Sequence, residues 1–311
     1  MSSGTSDLIS VVIPAFNAAA TLAETIDSVL AQTHRNLEIL VVDNGSWDRT
    51  GAIAKEYAAR DRRCRCLRQA APGAANARNR GIDEARGTFL AFVDADDLYA
   101  PTKLERQLAV LRRAAGDTVV LCRIIRFVED DDGQKTFRTV TAVPELPAGD
   151  CLSTIVGFEG NQMALFTTGL IPRDCLLRAG KFDPLLPSAE DWDLGLRLAV
   201  FCSFAAVQEP LYLYRKHAAS VTATQNLDRT LHIHLDILRR AAARSSIPGR
   251  LLRQAERKQY IEMIRALMYY RDFGAAWRML LAGCREKSLF RDRRFPGLCV
   301  EIATGKLGRG E

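Results

Sequence analysis

Five residues, Phe89-Leu-Ala-Phe-Val93, run straight into Asp94-Ala-Asp-Asp97. The run is too short and too rich in β-favouring side chains for a helix, so it predicts a buried strand with three carboxylates at its C-terminal end. In an open α/β sheet, ligands bind at that end. Clustered carboxylates repel one another unless a cation or a hydrogen-bond donor offsets them. A hard divalent ion such as Mg²⁺ or Mn²⁺, held by only one or two such oxygens, keeps coordination positions open for a diphosphate. An Asp-rich turn capping a helix that starts near Pro101 accounts for the same residues without a ligand.

The strand has company. Leu8 to Pro14 is an apolar, β-branched run closed by proline, followed by the loop Ala15-Phe16-Asn17. From Thr21 the apolar residues Leu22, Ile26, Val29 and Leu30 fall at helical spacing, and Thr21 with Glu24 predicts a capping box. Leu37 to Val42 repeats the pattern, ending in the turn-rich segment Asp43 to Thr50 before a helix from Gly51 to Arg60. Cys64 to Leu67 reads as a short third strand. Gly73 to Ala85 reads as a small-residue helix, on which periodicity alone favours a solvated Arg78. Repeated β-loop-α units with apolar strands predict an α/β fold, a mainly parallel central sheet with helices on both faces. Further along, Pro101–Arg113 is helical and Thr118–Phe127 a strand, and Asp130 to Gly133 has hairpin-turn composition. Residues 136–160 suggest no element. A strand at Thr168–Pro172 leads to a helix at Arg173–Ala179 ended by Gly180. Glu190-Asp191-Trp192 opens another helix, where acidic residues suit the macrodipole. Leu211 to His217 is a last strand-like run.

Charge divides the chain. Of a formal net +6, residues 226–311 carry 18 lysines and arginines against 9 acidic residues, a net +9 that leaves the remainder at −3. This sets residues 1–225 apart from a basic α-helical C-terminal extension, with helices at 231–244, 250–270 and 274–285 and an αα-hairpin across Asp272-Phe-Gly274. Its arginine faces suit solvent, a membrane surface or an acidic partner. Eight scattered cysteines give no zinc spacing and suggest a reducing compartment. The polar start lacks an apolar signal core, and no apolar run approaches a bilayer span, so the expected location is cytoplasmic, peripheral at the inner membrane face where the tail attaches. Neither G-x-G-x-x-G nor G-x-x-x-x-G-K-[ST] occurs, and no nucleic-acid module is recognisable.

Taken together, Val12-Ile-Pro-Ala-Phe-Asn17, Val41-Val-Asp-Asn-Gly-Ser46, Ala77-Arg78-Asn79, Val93-Asp-Ala-Asp-Asp97 and Glu190-Asp191-Trp192 resemble the motifs of the family 2 glycosyltransferases, in the right order. The resemblance covers Leu8 to about Glu105, continues loosely from Lys181 to Thr222, and does not reach Asn226–Glu311. It implies the A-type nucleotide-diphospho-sugar transferase fold and an inverting transfer from a UDP-sugar to a saccharide or lipid-linked acceptor in bacterial surface polysaccharide or glycolipid synthesis. By the resemblance, Pro14, Ala15 and Asn17 line the base and ribose, and Asp43 accepts from the base edge. Arg78 lies beside the nucleotide, Asp94 reaches the ribose, and Ser46 and Ala95 complete the donor contacts. Asp96 binds Mn²⁺ or Mg²⁺, His217 meets the metal or the diphosphate, and Asp191 is the general base with Glu190 beside it. Two departures stand out: Asn44 replaces a common aspartate, and Ser188-Ala189 replaces a glycine often found before the acidic pair.

The chemistry asks for two carboxyl clusters with different tasks. One must hold the cation that offsets the leaving diphosphate's charge, and the other must take the proton of the attacking hydroxyl. A retaining enzyme needs a dedicated nucleophile as well, for which there is no candidate. Adjacent on a helix, Glu190 and Asp191 point about 100° apart, so one of them does the proton transfer. The helix dipole is expected to keep Asp191 ionised. Two other readings compete: a sugar-phosphate nucleotidyltransferase, which usually has a glycine-rich basic first loop that Pro14–Asn17 lacks, and a degenerate sugar-nucleotide binder without turnover.

Overall fold

The computed structural model describes residues 7–114, 116–130, 134–141, 156, 165–216, 227–244, 247–287 and 289–304. The chain divides into two compact units, Met1–Ile155 with Glu159–Ser220, and Val156–Phe158 with Val221–Glu311.

The first unit opens with β1 (Ile9–Ala15), α1 (Leu22–Leu30), β2 (Leu37–Asp43), α2 (Thr50–Arg60), β3 (Cys64–Arg68), α3 (Ala74–Glu84) and β4 (Phe89–Phe92). It continues through β5 (Leu98–Tyr99), α4 (Lys103–Leu111), β6 (Thr118–Glu129), β7 (Lys135–Thr141), the turn of helix α5 (Leu165–Thr168), β8 (Leu170–Pro172), α6 (Arg173–Ala179), α7 (Glu190–Leu198) and β9 (Ser203–Arg215). The strands form one sheet in the order β3-β2-β1-β4-β8-β6-β9-β5, with β7 paired to β6. From β3 to β4 every pairing is parallel. Beyond β4 the sheet is mixed: β8 runs antiparallel to β4 and β6, β9 parallel to β6, and β5 antiparallel to β9.

The parallel half owes its depth to unbroken apolar strands. Ile9, Val11, Val12 and Ile13 of β1 and Ile39, Leu40 and Val42 of β2 have no exposed surface, as expected of strands covered on both faces. A side chain at Gly81 would bring its Cβ within 2.3 Å of Val12 Cγ1, so α3 can lie directly on β1 only with glycine there. The predicted capping box does not form. Thr21 makes no side-chain cap; its hydroxyl donates to the Ala95 carbonyl at 2.8 Å, and Glu24 pairs with Arg215 and Lys135. Tertiary partners outcompete the local cap: Thr21 ties α1 to the turn after β4, and Glu24 ties it to β7 and β9.

Three strand features escape the sequence pattern. β5 is two residues long, β7 lies in a stretch that suggested no element, and β9 starts eight residues before Leu211. Gln208-Glu209-Pro210 breaks the apolar run of β9, and the pairing with β6 shifts register there.

The second unit is helical: α8 (Leu227–Arg244), α9 (Gly249–Tyr269), α10 (Phe273–Lys287), a 3₁₀ turn (Leu289–Arg291) and α11 (Phe295–Thr304). Leu231, Leu235, Tyr260, Ile261, Ile264, Met279, Leu280 and Leu298 share its core. The expected hairpin is present between α9 and α10, turning through Arg271 at φ 64°. Among the described residues, no helix is long and apolar enough to cross a membrane.

Candidate active site at the C-terminal edge of the parallel strands

The loops after β1 and β2 are bolted together. Asn17 takes a left-handed φ of 48°, which asparagine tolerates. Its N–H donates to Ser46 Oγ at 3.0 Å, and its Oδ1 accepts from the Trp47 N–H at 3.2 Å. Asp43 Oδ1 accepts the Ser46 N–H at 3.0 Å. The structure therefore brings Asn17, Asp43 and Ser46 together, with part of each side chain's bonding capacity spent on shaping the loops. Pro14 is half-buried beside them, whereas Ala15 points into the core and offers the loop its carbonyl, which accepts the Asn44 N–H at 2.8 Å. With its amide turned to satisfy its neighbours, Asn44 donates to the Ala71 carbonyl and accepts from the Gly73 N–H, both at 3.1 Å. An aspartate could not donate there, so asparagine at this position anchors the segment leading into α3. Phe16 and Trp47 meet edge to face on the exposed rim, their ring centres 5.1 Å apart.

Arg78 is not solvated. Its side chain is 12% exposed, with Nη2 donating to Asp94 Oδ1 at 3.0 Å and Nη1 to Glu190 Oε1 at 2.7 Å. The guanidinium lies 5.5 Å from the Phe182 ring centre, and its buried Nε has no protein partner. Burial alone would lower its pKa, but the charges of Asp94, Glu190 and Asp191 outweigh it and hold Arg78 cationic. Helix periodicity missed this because the partners lie 16 and 112 residues away. The neighbouring Asn79 fixes the approach: its side chain exchanges two hydrogen bonds with the Phe182 backbone, at 2.8 and 2.9 Å.

The three aspartates after β4 have three fates. Asp94 remains 37% exposed and holds Arg78. Asp96 is partly exposed, and its main-chain carbonyl accepts from Arg215 Nε at 2.8 Å. Asp97 is 1% exposed and accepts from the Tyr212 hydroxyl at 2.5 Å and the Arg215 N–H at 2.8 Å. Burial, reinforced by Asp94 and Asp96, pushes the Asp97 carboxyl well above the usual carboxylate range. Ala95 is buried, and its carbonyl accepts from the Thr21 and Thr25 hydroxyls. The basic end of β9 thus turns inward: Arg215 also pairs with Glu24 and Glu129 and lies over the Phe127 ring, 4.8 Å from its centre. Glu24, Glu129 and Tyr212 carried no sequence signal for this role, because each is ordinary within its own element.

His217 lies outside the described residues. Among the described residues, no group of three or more His, Cys, Asp or Glu side chains is gathered to hold a metal ion. The accessible donor set is the hard oxygens of Asp94 and Asp96, with Asp97 withdrawn into the protein. That set fits Mg²⁺ or Mn²⁺, which bind through one or two carboxylates and take further ligands from substrate phosphates and water.

The second acidic cluster starts α7. Ala189 at its N-cap adopts a left-handed φ of 58°, and the fully buried Trp192 anchors the first turn. Glu190, 19% exposed, is held by Arg78. The Asp191 Oδ1 accepts its own helix's Trp192 N–H at 2.7 Å. Part of the residue meets solvent, yet loss of water around the carboxyl, with the charge of Glu190, raises its pKa to about 7 against the opposing pull of Arg78. The dipole argument for a firmly ionised Asp191 fails because desolvation and a like charge exceed it. A carboxyl near 7 is poised to take a proton at neutral pH.

Residues 10–172 match the family described as Glycosyl transferase family 2. The chain is 44% identical over 230 residues to the uncharacterized glycosyltransferase EpsJ of Bacillus subtilis, covering 69% of this chain and 63% of that one. It is 33% identical over 230 residues to an uncharacterized glycosyltransferase of Rickettsia typhi, covering 70% and 67%. Among solved structures, residues 1–349 of S. aureus TarS in complex with UDP-GlcNAc superpose with a TM-score of 0.67 at 17% identity, over 97% of this chain and 93% of that one. A mannosyltransferase from Pyrobaculum calidifontis, in complex with GDP-Man and Mn²⁺, gives 0.61 at 20% identity over 96% and 79%.

Proposed function

This chain belongs to glycosyl transferase family 2 and is a glycosyltransferase, and from that premise we propose that it moves a sugar from a nucleotide-diphospho-sugar to an acceptor hydroxyl with inversion at C1. The observation that carries the reading is Arg78, which ties the carboxylate turn after β4 to the start of α7. One buried cation thereby joins the cluster suited to the donor's diphosphate to the cluster suited to proton transfer.

Asp191 takes the proton of the acceptor hydroxyl as that oxygen attacks C1 from the face opposite the leaving nucleoside diphosphate. The new C1–O bond forms as the bond from C1 to the phosphate oxygen breaks, and the electron pair leaves with the diphosphate. Glu190, fixed by Arg78, orients the acceptor. The loops carrying Pro14, Ala15, Asn17, Asp43 and Ser46, with Asp94, bind the nucleoside part, for which UDP is the favoured form. Asp96 would hold Mn²⁺ or Mg²⁺, which when bound supplies Lewis acidity toward the departing diphosphate. Support for this donor class and ion comes from the two fold neighbours, one in complex with UDP-GlcNAc and one with GDP-Man and Mn²⁺. The acceptor is a saccharide or lipid-linked sugar of a bacterial surface polymer, and the basic helical unit brings the enzyme to a negatively charged membrane face.

The test is a thermal-shift screen of nucleotide sugars with Mn²⁺, followed by NMR of the product formed from the donor that binds. A ligand specific to the folded state raises the melting temperature by mass action. Inverted anomeric configuration supports the mechanism; retention, or donor binding without transfer or hydrolysis, overturns it.

A further inference from the structure

We infer that the outer face of α10 is a docking surface for an anionic lipid bilayer. The inference deepens the membrane assignment proposed above and does not depend on the transfer chemistry. On α10, Ala276, Met279, Leu280 and Gly283 are buried and complete the core side of the helix. Trp277 and Leu281 sit four residues apart on the opposite face, 40% and 52% exposed. Gly274, Arg278 and Arg285 share that face at helical spacing, and all three are exposed. The apolar pair is therefore surplus to the unit's own core.

The neighbourhood has the same character. Of the exposed large apolar side chains, Tyr269, Tyr270, Phe290 and Val300 fall with Trp277 and Leu281 inside one stretch of the chain. The Tyr269 and Tyr270 rings meet edge to face at the α9–α10 turn. Residues 269–300 contain 7 lysines and arginines against 3 acidic residues. Arg271, Arg278 and Arg285 form no ion pair among the described residues.

Three candidate occupants separate on chemistry. A second copy meeting this face symmetrically would set arginines against arginines. A nucleic acid would engage the arginines but leave Trp277 and Leu281 without a task in its phosphate backbone. Anionic lipid satisfies both halves: headgroups meet the guanidinium groups, and tryptophan, tyrosine and leucine enter the headgroup–acyl boundary.

Cosedimentation of the full chain with vesicles of phosphatidylcholine alone, and of phosphatidylcholine with about one-third phosphatidylglycerol, reads the inference directly. Binding to the anionic vesicles alone, weakened at about 0.5 M salt, is expected. Trp277→Ala with Leu281→Ser should lower that affinity at least about tenfold, as should Arg278→Glu with Arg285→Glu, which reverses the attraction to the anionic headgroups. Leu185→Ser, an exposed apolar change in the other unit, should leave it unchanged. Melting temperature and donor binding in vesicle-free solution check that each variant is folded. Absence of binding by the wild type, or vesicle affinity unaltered in both double variants, overturns the inference. So does a concentration-dependent dimer that the same variants dissolve, which assigns the face to a second copy. A wild type that binds vesicles yet transfers no sugar leaves the docking surface standing and removes the catalytic proposal instead.

Discussion

The turn Asp94–Asp97 and the helix start Glu190–Asp191 place the same functional group in opposite surroundings. After β4, carboxylates at the end of a parallel strand are left partly open, and the one that is not, Asp97, is locked by Tyr212 and Arg215 into the frame. At α7, the Asp191 carboxyl is drawn away from water beside a like charge, which lifts it to about 7. Arg78 touches both clusters, so neither environment is set in isolation. Residue type alone therefore does not set the protonation of a carboxyl here; its loss of water and its charged neighbours do.

The largest effect is expected at Asp191. Asp191→Asn should lower kcat by about 10² to 10⁴ while leaving donor affinity unchanged, because the amide cannot accept the proton. Glu190→Gln should cost less and express it in acceptor KM, since its binding is shared by ground and transition states. Steady-state kinetics of both variants checks the order, and a dead Glu190→Gln beside an active Asp191→Asn exchanges their roles. The wild-type kcat/KM should rise with pH through about 7 as Asp191 ionises. Stability should move the other way. The folded carboxyl holds its proton from about pH 4, where an unfolded aspartate loses it, up to about pH 7, so across that window the folded state binds more protons and loses stability as pH rises. Asp191→Asn should flatten this fall, and chemical denaturation at pH 5 and pH 8 measures the difference.

The opposite cluster is tested by metal. Asp96→Ala should weaken Mn²⁺-assisted UDP binding by about 100-fold or more in calorimetric titration while sparing metal-free UDP binding, because loss of even an outer-shell partner typically costs about 10 to 100-fold. Equal affinities with and without Asp96 would return that turn to a capping role. A smaller effect is expected one layer out. Arg215→Lys keeps the charge but loses the planar fork that serves the Asp96 carbonyl, Glu24 and Glu129 together. About tenfold weaker Mn²⁺–UDP affinity with unchanged metal-free UDP affinity is the expected signature of positioning, whereas a lowered melting temperature alone would mark Arg215 as purely structural.

How much of this was legible follows the distance over which each signal acts. The strands β1, β2 and β4, the Gly180 stop after α6 and the start of α7 were readable because apolar runs and turn residues act locally. The fates of Asp94, Asp96 and Asp97 were not, since they depend on Arg78, Tyr212 and Arg215 arriving from elsewhere in the chain. Arg78 is the clearest case: its own helix suggests a solvated side chain, and only the family motif pointed to the site. Glu24 shows the reverse, a credible local cap overridden by two cations from β7 and β9. The shift of Asp191 was invisible for the same reason, because burial is a property of the assembled fold.

The finest test lies at Ala189, which delivers the chain into α7 with a φ of 58° that a non-glycine residue rarely adopts. A left-handed alanine costs roughly 1–2 kcal/mol, and glycine would remove that strain. Glycine also adds freedom to the unfolded chain, a cost of about 0.5–1 kcal/mol. The strain term is the larger, so Ala189→Gly should raise stability by roughly 0–1.5 kcal/mol in denaturant titration. The kinetic side is where the two carboxyl clusters part company. A looser start to α7 disturbs the direction of Asp191 and Glu190 but leaves the turn after β4 untouched. Ala189→Gly should therefore lower kcat by about two- to threefold, a barrier change of roughly half a kcal/mol, with Mn²⁺–UDP affinity unaltered. A change in that affinity instead would mean that Arg78 transmits the disturbance from one cluster to the other, and the two would have to be treated as a single electrostatic unit.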